Sequence, residues 1–320
     1  MILIITNTHD VTSDFVVAEL QRRSYPFARL NTDEFPVNGT GIAEYYDDRD
    51  SSIVIRWSNR DHLLDFSSIR SVWYRRPVKP IPHADIEDSG IREFIVNESY
   101  DFLRGAWLSL SCFWMSHPNA IRTAEHKMVQ LNVARQVGMA VPTTLVTNDP
   151  QAALEFVSSM SDVVVKAVYA GPVSTQNGTK FVYTSIVDEQ SLVGLEDVRY
   201  SPIIIQKRVR KDVDVRVTVV GERVFAARIT DGSVDGSMVD WRESASLSYE
   251  ECRLPRDLSD MCVRLVRALG LEFGAIDLGL DGDGKYWFFE INPNGQWAWL
   301  ESDLGLPISR EIVNRLTHWA

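Results

Sequence analysis

The sequence has little cysteine, no excess of basic residues and no long apolar run, and each absence excludes a class of protein. Its 3 cysteines, among 320 residues, are too few and too scattered for a disulfide framework or a zinc knuckle. The formal net charge is −11, whereas nucleic-acid-binding proteins present a basic surface. No apolar stretch reaches the roughly 18 residues of a transmembrane helix, and residues 1–10 do not resemble a signal peptide. We therefore expect a cytoplasmic protein that binds neither nucleic acid nor membrane.

Several catalytic signatures are missing as well. The turn after the first predicted strand, Asn7–Asp10, lacks the glycines that let a backbone approach a dinucleotide pyrophosphate. The chain has no Gly-x-x-x-x-Gly-Lys phosphate loop and no Gly-x-Ser-x-Gly nucleophile elbow. None of the 6 histidines has metal-ligand spacing to another histidine, cysteine or glutamate. A redox enzyme, a P-loop enzyme and a serine hydrolase are therefore disfavoured.

The residues that are present predict a folded α/β protein with several lobes. Apolar residues make up 45% of the chain, and 320 residues exceed the usual size of one compact domain. An apolar run at 1–6, an amphipathic stretch at 11–23 and a β-rich run at 27–30 predict a βαβ start. The predicted parts are an N-terminal domain over 1–120, a central lobe over 121–202 and a C-terminal lobe over 203–320.

Periodicity and turn residues predict the remaining elements. A polar segment rich in Ser, Asp and Gly, 231–252, is expected to be a long loop, and such loops in compact domains are usually functional. The predicted helices are 91–110, 123–137, one that begins after Asp149-Pro150, and 257–269. The predicted strands are 53–57, 72–74, 143–147, 162–168, 180–186, 203–207, 213–220, 223–230, 273–280 and 286–291.

The last predicted hairpin carries the strongest chemical signal. Asp281-Gly-Asp-Gly284 is a turn sequence between two β-rich runs. Side chains on one face of a strand recur every two residues, so Glu290 and Asn292 point the same way. Counting outward from the turn brings Asp277 roughly opposite Glu290, within the spacing of about 5 Å of a cross-strand pair. Two carboxylates and an amide oxygen on one face suit Mg²⁺ with bound phosphates. A surface hairpin with scattered acidic residues is the alternative.

Basic residues in an acidic chain form the second signal. Lys166 lies in an otherwise apolar predicted strand, where an ammonium group is costly unless it reaches a partner such as a phosphate. An alternative interpretation of Lys166 is a lysine at a strand edge that reaches solvent. Lys127 lies on a predicted helix, and taken alone it is interpreted as a solvated residue. Arg216 and Arg228 lie on opposite arms of the hairpin that turns at Gly221, and a guanidinium fork can grip two oxygens of a phosphate or carboxylate.

In chain order these parts resemble the ATP-grasp superfamily of ligases. The resemblance implies an ATP-grasp fold with an N-terminal βαβ pre-ATP-grasp domain, ATP and Mg²⁺ as cofactors, and a flexible loop over the triphosphate at 170–178. By motif position, the resemblance makes Lys127 and Lys166 ligands of the nucleotide phosphates. It makes Gln206, Lys207 and Val209 the hinge beside the adenine and Asp214 the ribose contact. Arg216 and Arg228 are then the catalytic residues that stabilise the transferred phosphoryl group and the acyl phosphate, and the Mg²⁺ ligands are Asp277, Glu290 and Asn292. Gln206 departs from the family, which often has glutamate there.

A narrower resemblance, to the graspetide (microviridin-type) peptide ligases, covers nearly the whole chain. It rests on Val72-Trp-Tyr-Arg-Arg-Pro77, Asp240-Trp-Arg242 and Glu290-Ile-Asn-Pro-Asn-Gly-Gln-Trp297. It implies an enzyme that phosphorylates Asp or Glu side chains of a ribosomally made precursor peptide and closes ω-ester or ω-amide rings with Ser, Thr or Lys side chains. A leader segment docked on the central lobe and a homodimer are also implied. The 231–252 loop is then a candidate lid that grips the core peptide through Trp241 and Arg242.

Two other functions stay open on the sequence alone. One is an ATP-grasp ligase for free amino acids or small carboxylates, similar to glutathione synthetase. The other is a catalytically silent nucleotide-binding protein, against which the complete set of metal ligands argues. A short neighbouring reading frame with repeated Thr or Ser and Asp or Glu would favour the peptide substrate.

Overall fold

The computed structural model describes the chain except for residues 49, 58–62, 161, 170–172, 176–177, 181, 189–193, 232–246 and 319–320. Helices and strands both occur, so the fold is mixed α/β as the sequence predicts. The chain divides into two compact units, one of residues 1–118, 296–301 and 307–320, the other of residues 119–295 and 302–306. None of the described helices is long and apolar enough to cross a membrane.

The first unit is built on a parallel sheet with the strand order β2-β1-β6-β7, beside an antiparallel sheet with the order β3-β4-β5. The strands are β1 Ile2–Thr6, β2 Phe27–Asn31, β3 Gly39–Glu44, β4 Ser52–Trp57, β5 Leu63–Asp65, β6 Ser71–Tyr74 and β7 Phe113–Met115. The helices are α1 Val11–Arg22 and α2 Ser89–Leu108, with 3₁₀ turns at Thr32–Glu34 and Phe66–Ser68. Strands β1 and β2 pair in parallel through α1, which confirms the predicted βαβ start.

The core of this unit follows from its apolar runs. Every residue of β1 is buried, as expected of a parallel strand that is covered on both faces. Leu3 and Ile5 pack in one cluster with Val72 of β6 and Trp107 of α2. Of the β3–β5 sheet only β4 was predicted, because β3 contains two glycines and β5 has only 3 residues.

The second unit holds the remaining sheets. Its strands are β8 Thr144–Thr147, β9 Val163–Ala167, β10 Val173–Thr175, β11 Gly178–Lys180, β12 Ser185–Ile186, β13 Ile203–Lys207, β14 Lys211–Val220, β15 Arg223–Asp231, β16 Leu247–Cys252, β17 Phe273–Asp281 and β18 Tyr286–Asn292. They form an antiparallel sheet β12-β9-β13-β8, a five-stranded sheet β16-β15-β14-β17-β18 and a ribbon β10-β11. The helices are α3 Pro118–Ala124, α4 Lys127–Gln136, α5 Pro150–Ser159 and α6 Arg256–Ala268, with a 3₁₀ segment at Gly194–Tyr200.

Three predicted elements of the second unit differ from the structure. The helix predicted over 123–137 is divided in the structure between the end of α3 at Ala124 and α4, which begins at Lys127. The Gln130 side chain donates a 2.7 Å hydrogen bond to the carbonyl of Ala124, where α3 ends. The strand predicted over 180–186 is divided between β11 and β12. The polar segment 231–252 is not wholly a loop, since β16 pairs with β15 and extends the five-stranded sheet.

Two helices complete the chain, α7 Ala298–Leu304 and α8 Ile308–Thr317. Helix α8 packs against α1, β6 and β7. Ser71 of β6 donates a 2.8 Å hydrogen bond to the carbonyl of Leu316. The sequence places these residues with the C-terminal lobe, whereas α8 clusters with the first unit.

Candidate active site

The β17–β18 hairpin brings the predicted metal ligands to one face of the five-stranded sheet. Asp277 pairs directly with Glu290, within two residues of the position that counting outward from the turn gives, and Ala275 pairs with Asn292. Directly opposed residues share a face, and so do residues two apart along a strand. The three oxygen-bearing side chains of Asp277, Glu290 and Asn292 therefore project from the same surface.

A β-bulge adjusts the spacing beside this face. Asp277 pairs with Glu290 but Leu278 pairs with Phe288, so Phe289 is an extra residue on β18. Both Phe289 and Glu290 line the same cavity. Sequence reasoning missed Phe289, because strict alternation would have turned it to the opposite face.

Each carboxylate of the hairpin already has a cationic partner. Arg216 of β14 donates a 2.8 Å hydrogen bond to Asp277, and Lys127 forms an ion pair with Glu290. Arg216 is 7% exposed and the other three side chains are largely covered, so these charges interact in a medium less polar than water. Two cations and two anions give a balanced cluster on one face.

Gln130 positions Lys127 over the hairpin. Its amide nitrogen donates a 2.8 Å hydrogen bond to the carbonyl of Ile291, and its amide oxygen accepts one of 3.2 Å from the Ile291 amide. Gln130 is buried, and α4 packs against β18. Lys127 is the first residue of α4, one turn before Gln130. The two hydrogen bonds between Gln130 and Ile291 therefore hold this end of α4 against β18, and the ammonium group of Lys127 reaches Glu290. The sequence gives no signal for this role beyond a polar residue three positions after Lys127.

A cavity of about 50 Å³, partly open to solvent, lies against these residues. Lys166 donates a 2.8 Å hydrogen bond to Gln206, whose amide nitrogen bonds Thr144 at 2.9 Å. The described lining residues are Lys127, Leu131, Lys166, Ala167, Val182, Tyr183, Thr184, Ile204, Gln206, Phe289 and Glu290.

The remaining hinge residues and Asp214 lie in different surroundings. The Asp214 carboxylate forms a 2.6 Å ion pair with Lys211. Lys207 is exposed and Val209 is half-buried, and neither belongs to the described lining of the cavity. Sequence reasoning therefore found Gln206 as a lining residue and missed Lys211.

Arg228 does not share a face of the sheet with Arg216. Arg216 pairs with Ala227, while Arg228 pairs with Val215, so the two side chains lie on opposite faces of the sheet. Arg228 is exposed and lies beside Cys252, where burial raises the pKa of the thiol and the Arg228 charge opposes that rise. Position on the two hairpin arms alone did not decide the face, because a one-residue difference in register reverses it.

Of the three segments that carry the narrower resemblance, the structure describes 72–77 and 290–297 but not 240–242. Arg75, in the segment 72–77, is buried and donates a 2.8 Å hydrogen bond to Gln296, in the segment 290–297. Burial lowers the pKa of Arg75 to about 10 although Asp10 lies near. Trp241 and Arg242 lie outside the described residues, as does most of the loop predicted over 170–178.

The donor set fits a hard divalent cation. Carboxylate and amide oxygens are the ligands that Mg²⁺ prefers, and the set here has two carboxylates and one amide. Asp277 and Glu290 are held opposite each other by backbone pairing, and the Asn292 oxygen is oriented by a 2.9 Å hydrogen bond from the Asn294 amide. Among the described residues no cluster of three or more His, Cys, Asp or Glu side chains offers another metal site.

Comparison with known proteins gives matches along the whole chain. Residues 124–316 match the family described as RimK-like ATP-grasp domain, and residues 1–122 match the MvdD pre-ATP grasp domain. The structure is similar to macrocyclase MdnC bound with precursor peptide MdnA from Microcystis aeruginosa MRC, with 30% identity, 100% of both chains covered and a TM-score of 0.88. It is similar to a RiPP-associated ATP-grasp ligase of Chryseobacterium gregarium in complex with ADP and a leader and core peptide, with 28% identity, 100% and 97% of the two chains covered and a TM-score of 0.89. In sequence, the α-aminoadipate–LysW ligase LysX of Sulfurisphaera tokodaii is 22% identical over 222 residues, 66% of this chain and 74% of that protein.

Proposed function

This chain belongs to the RimK-like ATP-grasp ligases, and from that premise we propose that it closes rings in a ribosomally made precursor peptide. ATP-grasp ligases are ATP-dependent enzymes that form amide or ester bonds, and their fold binds ATP. The proposed substrate groups are an Asp or Glu carboxyl and a Ser or Thr hydroxyl or Lys amine of the same peptide. The N-terminal pre-ATP-grasp part (1–120), the central lobe (121–202) and the C-terminal lobe (203–320) are the proposed functional divisions.

The observation that carries the ATP chemistry is the opposition of Asp277 and Glu290 beside the cavity that Lys127 and Lys166 line. Two ammonium groups in one cavity suit the oxygens of a triphosphate. The two carboxylates with Asn292 would hold Mg²⁺, which supplies charge neutralisation at the phosphates when bound. Gln206, Lys207 and Val209 are the proposed neighbours of the adenine, and Asp214 the proposed ribose contact.

The proposed reaction proceeds in two steps. The peptide carboxylate attacks the γ-phosphorus of ATP, the bond to the bridging oxygen breaks, and an acyl phosphate and ADP form. The hydroxyl or amine then attacks the acyl carbon and loses its proton, and inorganic phosphate leaves. Each ring therefore removes one water from the peptide overall and consumes one ATP.

The residues of this chain supply charge and position. Arg216 is buried and held by Asp277, so its guanidinium is preorganised to stabilise the transferred phosphoryl group at little cost in reorganisation. Lys127 and Lys166 offset the negative charge of the phosphates. Exclusion of water protects the acyl phosphate from hydrolysis, which is the role we propose for the segment 170–178 and for the part of 231–252 that precedes β16.

A peptide is favoured as the substrate by the two whole-chain structural relatives, both described with bound peptides. The similarity to LysX favours a second candidate, an ATP-grasp ligase that acts on free amino acids or small carboxylates. The match of residues 1–122 to the MvdD pre-ATP grasp domain supports the first candidate.

The test is incubation of the protein with ATP, MgCl₂ and the peptide encoded by a short reading frame beside its gene. We expect the peptide to lose the mass of one water per ring, with one ADP and one phosphate released for each. Hydrolysis of the product with mild base separates esters from amides. ATP turnover on free amino acids without any mass loss in the peptide would support the second candidate instead.

A further inference from the structure

The ring of Phe289 packs directly against the backbone of Gly279 on the neighbouring strand. A methyl group placed on Gly279 would lie 2.6 Å from Cζ and 2.7 Å from Cε2 of that ring. Carbon atoms in contact prefer about 3.5–4.0 Å, so no larger residue fits at 279 while the ring stays in place. The absence of a side chain at Gly279 therefore leaves the space on β17 that the ring of Phe289, the extra residue of the β18 bulge, occupies.

Two lysines lie over the same ring from other elements. The ammonium of Lys166 is 5.2 Å and that of Lys211 is 5.4 Å from the ring centroid of Phe289. Both distances are within the range of about 6 Å for cation–π attraction. Lys211 is largely covered and also holds the Asp214 carboxylate at 2.6 Å. One ammonium group therefore couples the aromatic ring to the carboxylate.

We propose that Gly279 and Lys211 are positioning residues for the nucleotide, which act through Phe289 and Asp214. Gly279 lets the aromatic ring lie at the cavity wall, where a purine base can pack on it. Lys211 fixes the distance between that ring and the carboxylate that accepts from the ribose hydroxyls. This inference rests on the proposed nucleotide site in the same cavity and names the residues that shape it.

The first test is calorimetric titration of the full chain with MgATP. Gly279→Ala displaces the ring into the cavity, and we expect the dissociation constant to rise by roughly ten-fold, the scale of an overpacked site. Gly282→Ala is the matched control, because the nearest atom to its added methyl is an Asp212 oxygen at 3.5 Å. Equal binding by the wild type and Gly279→Ala overturns the inference.

A double variant tests whether Gly279 acts through the ring. Leucine lacks the outer ring atoms that meet the added methyl, so Gly279→Ala should cost much less affinity in a Phe289→Leu background. An unchanged penalty in that background would mean that Gly279 acts by another route and would overturn the proposal. Thermal unfolding of each variant verifies that binding is measured on folded protein.

Lys211 is tested by separating binding from turnover. Lys211→Met keeps the length but removes the charge, and we expect the KM for ATP to rise by about ten-fold while kcat falls by less than about three-fold. Lys211→Arg should restore most of the KM. A loss confined to kcat overturns the positioning role. Absence of MgATP binding in the wild type would instead overturn the nucleotide site itself, and this inference with it.

Discussion

Arg216 donates a hydrogen bond to Asp277, the residue directly opposite it on the neighbouring strand. Asp277 in turn faces Glu290, which pairs with Lys127. The four side chains form a row in the order cation, anion, anion, cation across β14, β17, β18 and α4. The two flanking cations balance the charge of the two carboxylates along this row.

Neutralising either carboxylate tests this row. Asp277→Asn and Glu290→Gln each keep the side-chain shape but remove one negative charge, so we expect ATP turnover to fall by about 10²–10³-fold or more. The protein should remain folded, because both positions are partly exposed. Coupled assays of ADP release measure the turnover, and circular dichroism measures the fold.

The control for these variants is Glu250→Gln, on the exposed strand β16 of the same sheet. Its turnover should match the wild type within about two-fold. Wild-type turnover in Glu290→Gln or Asp277→Asn would contradict the assignment of the metal ligands.

The two arginines give a second matched pair. Arg216→Met removes a buried guanidinium that faces Asp277, and we expect turnover to fall by about 10²-fold or more. Arg228→Met changes an exposed residue on the opposite face, and we expect turnover within about two-fold of the wild type. The measurement is kcat for ADP release at saturating ATP. Equal losses in both variants would contradict the division of the two arginines between the two faces.

Much of this site was predictable because β-strands are periodic. Turn residues at 281–284 fix the centre of the hairpin, and counting from it brings Asp277 close to Glu290. The bulge at Phe289 then sets the direct pairing. Lys166 was found for a similar reason, since a charge in an apolar strand needs a partner. Its bond to Gln206 supplies one.

Other features depend on contacts between distant residues. The bulge that brings Phe289 beside Glu290 is an irregularity of register, and periodicity alone does not reveal it. The break between α3 and α4 depends on Gln130 bonding Ala124 and Ile291, and the Ile291 contact is 161 positions away. The face of Arg228 follows from how β14 and β15 align, and a regular count outward from the turn at Gly221 gives this alignment.

Gln130 should therefore matter for both stability and nucleotide binding. Gln130→Leu leaves the Ile291 amide and the Ala124 carbonyl without a buried partner, and each such loss costs about 1–3 kcal/mol. Lys127 loses its fixed position as well, so we expect the KM for ATP to rise. Urea unfolding measures the stability. Gln151→Leu, on the exposed side of α5, is the control and should change stability by less than about 0.5 kcal/mol.

The stability of the first unit should depend on pH through Glu19 of α1. Hydrogen bonds from Arg22 and Arg23 lower the pKa of Glu19 from 4.5 to about 2, and Arg23 also bonds Asn314 of α8 at 2.8 Å. Because the folded pKa is depressed, this stabilisation is fully present above pH 4.5 and is lost as the pH falls toward 2.

Glu19→Gln should lower the free energy of unfolding at pH 7 by about 1 kcal/mol, and its difference from the wild type should narrow below pH 4.5. Urea midpoints between pH 3 and 7 measure this, with Glu93→Gln at an exposed position of α2 as the control. A difference that is constant across this range would show that Glu19 stabilises by packing and not by charge.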